Sequence, residues 1–98
     1  MMYTMKILPE YLKLIREGKK RAEVRKWYKN LEGQKVGLTY PDDNKIRLII
    51  EIGPIYDIRN IDPEDKELLL DEALVSPKFR NSYPCNYIYT ITNIEEIQ

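Results

Sequence analysis

Gly18-Lys19-Lys20-Arg21-Ala22-Glu23-Val24-Arg25 marks a change of hydrophobic period along the chain. Upstream, Tyr11, Leu14 and Ile15 recur at helical spacing with Leu8 and Leu12 alongside, while Lys13, Arg16 and Glu17 fall off that stripe. Pro9 suits a first helical position and Gly18 a helix stop, so a short amphipathic helix is expected over 9–17. Downstream, residues 20–26 alternate in character. Ala22 and Val24 fall on one face of a strand, and Arg21, Glu23 and Arg25 on the other. Lys20 sits three before Glu23 and reaches the Glu23–Arg25 face only if the strand start is bent.

The rest of the chain extends this pattern. Tyr3 to Leu8 is expected as a first strand, and Trp27-Tyr28-Lys29-Asn30 as an irregular exit from the second. Leu31-Glu32-Gly33-Gln34 is a turn. Lys35 to Tyr40 is a third strand, ended by the turn formers Pro41-Asp42-Asp43-Asn44. Residues 45–52 are the most β-rich run, with Gly53-Pro54 as a bulge or bend and residues 55–58 continuing the strand. Asp62-Pro63-Glu64-Asp65 opens a helix, with Leu68, Leu69, Ala73 and Leu74 as its apolar side and Pro77 as its limit. Lys78 to Pro84 is expected as a loop and Tyr87 to Ile94 as the last strand. The fold class is α+β: a small mixed β-barrel or curled sheet with two or three flanking helices, in one domain over 1–98.

Inventory removes several chemistries. The 98 residues contain no His and one Cys, Cys85. A structural zinc site needs about four imidazole or thiolate ligands. Ser-His and Cys-His nucleophile pairs cannot form within the chain, nor can a disulfide. The four glycines build neither a phosphate loop nor a dinucleotide fingerprint. No metal and no cofactor is expected, and the acid–base material is Lys, Glu, Asp and Tyr. Hydrophobic residues make up 43% and charged residues 33%, no apolar run nears the roughly 20 residues of a membrane span, and Met1 to Lys6 lacks a signal-peptide layout. The expectation is a soluble, cytoplasmic protein.

The formal charge is zero but uneven. Residues 1–47 carry 12 basic and 6 acidic side chains, and residues 48–98 carry 4 and 10. Lys13, Arg16, Lys19, Arg21, Lys26 and Lys29 crowd the segment around the motif and are candidate phosphate contacts. The bland alternative is a solvated surface whose two halves pair with each other.

Gly18, Lys20, Glu23 and Arg25 fit the pattern G-x-K-x-x-E-x-R directly after a short N-terminal helix. This resembles the ASCH domain family, a branch of the PUA-like superfamily. The turn and strand entry at residues 31–36, the long central strand pair over 45–58 and the closing strand over 87–91 fit as well. The resemblance implies a small PUA-like barrel with a cleft lined by Lys20, Glu23 and Arg25. It also implies RNA or a modified nucleoside as partner. One branch of the family hydrolyses N4-acetylcytidine with a Thr nucleophile three residues after the motif Lys. Here that position is Glu23, which matches the general pattern and not the hydrolytic branch. Glu67 and Glu72 lie where that branch draws a second carboxylate.

The expected function is therefore an RNA- or modified-nucleoside-binding module. Lys20, Glu23 and Arg25 line the cleft, and Trp27 and Tyr28 are candidates to stack on a base, although Trp27 equally suits a core edge. A small amidohydrolase using Lys20 and Glu23 is the alternative, and a protein-interaction domain a third.

Overall fold

The computed structural model describes residues 2–97; Met1 and Gln98, which the expected N-terminal segment and the 1–98 domain include, lie outside them. Five strands and three helices follow along these residues in the order β1 (Tyr3–Lys6), α1 (Pro9–Arg16), β2 (Ala22–Arg25), β3 (Lys35–Thr39), β4 (Leu48–Asp57), α2 (Pro63–Glu72), α3 (Pro77–Ser82) and β5 (Tyr87–Glu96). The strands form one curled sheet in the order β1-β3-β4-β5-β2, with β1 and β3 parallel and the other pairs antiparallel. This is an α+β half-barrel. Its two edge strands, β1 and β2, are the elements that flank α1 in sequence.

The sheet buries apolar residues on both faces. Leu12 and Ile15 of α1 join Met5, Val36, Leu38, Leu48, Ile50, Ile52 and Tyr89 in one cluster. Ala22, Val24, Ile58, Leu70, Ala73, Val75, Cys85 and Ile88 form a second under α2 and α3. Along β5 the neighbours Ile88 and Tyr89 divide between the clusters, as strand alternation requires. Burial pushes the Cys85 thiol up, consistent with a packed sulfur.

Several boundaries differ from expectation. Lys45–Arg47 precede β4, with the Arg47 side chain held by Asp43 at 2.6 Å and lying over the Tyr40 ring at 3.8 Å. The Gly53-Pro54 irregularity is present as register shifts between β4 and β5. A Cβ on Gly53 would stand 2.6 Å from Thr92 Cγ2 and 2.8 Å from Thr90 Oγ1, so only glycine fits there. Of residues 78–84, expected as loop, 78–82 belong to helix α3: Pro77, expected to end the previous helix, starts this one, and the Ser76 hydroxyl accepts from the Phe79 amide. The apolar side of α2 is also different. Leu70 and Ala73 are buried, while Leu68, Leu69 and Leu74 face solvent.

Helices α1 and α2 end in the same hydrogen-bond pattern. The Lys19 amide donates to the Leu14 carbonyl and the Gly18 amide to that of Ile15; likewise Val75 donates to Leu70 and Leu74 to Asp71. Both need one left-handed residue, Gly18 at φ +76° and Leu74 at φ +59°. Gly18 is at ease there and Leu74 is strained. Nothing lies within 4 Å of a Cβ built on Gly18, so its substitution carries a purely conformational cost. In urea denaturation Gly18→Ala is expected to lower stability by about 1 kcal/mol, and Leu74→Gly to raise it by up to about 1 kcal/mol.

Candidate functional site

The half-barrel leaves a seam between its unpaired edges. The left-handed turn at Gly18 throws the chain back so that the Lys20 amide also donates to the Leu14 carbonyl. The chain has not yet entered β2, and Lys20 turns inward beside Glu23. The bend that this placement requires is thus supplied by the end of α1. Glu23 and Arg25 project from β2 into the seam, two residues apart on one face.

Lys20 and Glu23 are buried and Arg25 is half-buried. Arg25 Nη2 donates to Glu23 Oε2 at 3.0 Å and to the Lys6 carbonyl at 2.7 Å, bridging β2 to β1 where the strands do not pair. Lys20 Nζ lies 3.8 Å from Glu23 Oε1 and donates to the Ala73 carbonyl at the C-terminus of α2. It also sits 4.8 Å from the centre of the Tyr11 ring. The cation is thus held by a carboxylate, a helix C-terminus and an aromatic face.

Above these groups lies a cleft of about 100 Å³, walled by Lys6, Ile7, Leu8, Tyr11, Pro41, Val75 and Phe79 beside the motif residues. That is several times the roughly 10–15 Å³ one water needs and below the ~300 Å³ of a drug-sized pocket. Tyr11 shares two 3.2 Å hydrogen bonds with Ser76 and stands edge-on to Phe79, which fixes the α2–α3 turn as the roof. Arg80 reinforces the roof by donating to the Val75 carbonyl, Glu67 and Asp71.

Among the described residues two buried polar atoms of the cleft make no hydrogen bond: Glu23 Oε1, an acceptor with the Lys20 ammonium 3.8 Å away, and Arg25 Nε, a donor. Native structures leave few such groups, and each costs about 1–3 kcal/mol unless something else meets it.

The other candidate residues scatter. Trp27 is half-buried and edge-on to Tyr3 and Tyr89 at 6.3 and 5.9 Å, and its carbonyl accepts from the Tyr89 hydroxyl. It is a core-edge residue outside the cleft lining. Tyr28 is exposed against Tyr87 and also stands outside it. Lys13, Arg16, Lys19, Arg21, Lys26 and Lys29 are all exposed. Arg16 pairs with Glu96, Lys19 with Glu17, Lys29 lies over Tyr3, and Arg21 lines a groove beside α2. Glu67 is taken by Arg80, and Glu72 lines the Arg21 groove. Lys6, Tyr11, Val75 and Phe79 have no motif to announce them; their spacing within strand and helix shows only that they belong to those elements. Among the described residues no group of three or more Cys, Asp or Glu could hold a metal ion, and no helix is long and apolar enough to cross a membrane.

Burial raises the Glu23 carboxyl above its ordinary value of 4.5, opposed by the nearby Arg25 and Lys20 cations. Burial lowers the Lys20 ammonium below 10.5, opposed by Glu23 and assisted by Arg25. Both shifts favour the neutral form. A raised carboxyl binds its proton more tightly in the folded state, so its contribution is full below pH 4.5 and lost as pH rises through the folded value. Glu23→Gln removes this term. The stability of the wild-type chain minus that of Glu23→Gln is expected to fall as pH rises from 4.5, measured by denaturant titration across pH.

A sequence model of the ASCH domain matches residues 5–97. No curated protein matches the sequence. Among solved structures, a serine-to-alanine mutant of ZmASCH from Zymomonas mobilis superposes with a TM-score of 0.70 at 17% identity, over 97% of this chain and 70% of that one. At that identity the likeness speaks for the fold alone, a curled sheet with flanking helices. The family match covers nearly the whole chain, including Gly18, Lys20, Glu23 and Arg25: the chain belongs to the ASCH domain family.

Proposed function

We propose that the cleft binds the base of a nucleoside, free or within single-stranded RNA. The observation that carries this reading is the pair of buried, unpartnered atoms, Glu23 Oε1 and Arg25 Nε. A ligand with a donor and an acceptor on one edge satisfies both. Cytosine has that character, with its N4 amino group donating to a carboxylate and its ring acceptors available to a guanidinium. Tyr11 and Phe79 supply apolar and aromatic walls. The small volume admits the base and leaves sugar and phosphate outside. The exposed cations Lys13, Arg16, Lys19, Lys26 and Lys29 give a longer strand further attraction, and exposed Tyr28 a stacking surface beyond the cleft. Trp27, committed to the core edge, has no place in this reading.

Fluorescent single-stranded RNA is expected to bind with log affinity falling against log salt at a slope of about −0.7 per phosphate contacted. Glu23→Gln and Arg25→Lys are expected to weaken binding at least ~10-fold, each loss being that of one charge-assisted bond. Salt-independent binding that neither variant changes would overturn the reading.

A second reading, hydrolysis of an N4-acylated cytidine, draws on the Lys20–Glu23 pair. Its members lie 3.8 Å apart, and burial shifts each toward its neutral form. A neutral Lys20 amine could take a proton from water as that water attacks the acyl carbonyl; the C–N4 bond then breaks as Lys20 returns that proton to N4, giving cytidine and a carboxylic acid that loses its own proton to solvent. Incubation with N4-acetylcytidine, followed by chromatography, separates the readings. Binding without turnover supports a recognition module, and turnover abolished in Lys20→Met supports the enzyme.

A further inference from the structure

Helix α2 runs three leucines together, and only Leu70 of them is buried. Leu68 is 61% exposed and Leu69 37%. One helical face cannot hold three consecutive residues, so part of the run must look outward. Leu69 looks into a groove of about 530 Å³ between α2 and the β4-β5-β2 half of the sheet. The groove floor is apolar, made by Ala22, Ile58, Ile61, Ala73 and Ile88, and Tyr56, 53% exposed, stands at its mouth. This surface is separate from the seam cleft, and β2 and Ala73 form the wall between them.

The rim carries both signs of charge. Arg21 lines the groove with only a long 3.4 Å bond to the Gly18 carbonyl, and Glu72 lines it from α2. Neither makes an ion pair among the described residues, whereas Asp57, also at the rim, is held by Arg59 at 2.7 Å. None of the buried unpartnered polar atoms among the described residues belongs to the groove. Its charged groups stand around an apolar floor, a pattern that suits another protein surface.

We propose that the groove seats a second copy of this chain across a two-fold axis. A two-fold contact places one patch against itself, so a patch holding an unpaired cation and an unpaired anion is complementary to its own copy. Arg21 of each copy meets the Glu72 of the other, and the exposed Leu69 and Tyr56 are covered together. Arg21 comes from the basic half of the sequence and Glu72 from the acidic half, and a net charge of zero leaves no overall repulsion between copies. The proposal does not rest on the ligand of the seam cleft.

Sedimentation equilibrium on the intact chain tests it, since the monomer is 11.7 kDa. The expected result is a reversible dimer at tens of micromolar, weakened by salt. Arg21→Glu and Glu72→Arg are each expected to raise the dissociation constant at least ~10-fold, and the double swap to restore it. These positions are exposed, so melting temperatures report whether the monomer still folds. Mass fixed at the monomer value up to about 1 mM would overturn the proposal. So would a dimer indifferent to both reversals and to Leu69→Glu. A monomer that takes up an apolar dye, with uptake lost in Leu69→Glu, would give the groove to a small apolar ligand and also overturn it.

Discussion

The Arg25 guanidinium spans a gap that the backbone leaves open. The sheet has two free edges, β1 and β2, and no ladder joins them. One side chain binds the Lys6 carbonyl on the first edge and the Glu23 carboxylate on the second. The seam therefore holds its width without being closed by backbone pairing. Buried ion pairs are a poor source of stability, because desolvation offsets most of the attraction. A chain selected for stability alone could fill this seam with leucine and valine. The proposed ligand would meet the two polar atoms of these three groups that make no hydrogen bond among the described residues.

The path from sequence to this seam is short and local. Gly18 takes a conformation that other residues resist, ends α1, and redirects the chain. Lys20, which strand geometry alone would set opposite Glu23, is brought round beside it. The same helix-ending pattern at Leu74 directs the α2–α3 segment over the cleft and leaves the Ala73 carbonyl facing Lys20. Two helix termini thus shape the site from opposite sides. One uses the residue suited to the task, and the other carries strain that the packing of Leu70, Ala73 and Val75 holds in place.

Features with a short-range cause could be read from the sequence. The helix stop at Gly18, the bulge at Gly53-Pro54 and the cap at Asp62 each depend on residues a few positions apart, and each is present in the fold. The Lys20–Glu23–Arg25 grouping was legible because helix end and strand start are adjacent in the chain. Long-range arrangement was not legible. Nothing in residues 77–82 outweighed the look of a polar loop, although Pro77 and the Ser76 cap are helix-start signals. The run Leu68-Leu69-Leu70 does not say which leucine is buried, because that depends on how α2 lies on the sheet. Trp27 follows the motif directly, yet the chain leaves β2 toward Tyr3 and Tyr89 and carries the ring away from the cleft. The cleft walls Lys6, Tyr11, Val75 and Phe79 come from three separate parts of the chain and meet only in the fold.

The central claim is that Glu23 Oε1 and Arg25 Nε await a ligand. The most direct measurement follows the Arg25 Nε–H resonance in ¹⁵N-labelled protein during titration with cytidine, with uridine in parallel. The account predicts a saturable shift of that resonance and slower exchange of its proton with water, larger for cytidine because its N4 amino group can donate to Glu23. An unmoved Arg25 resonance, with shifts confined to the exposed Lys13–Lys19 surface, would contradict it and leave the buried triad a purely structural bridge.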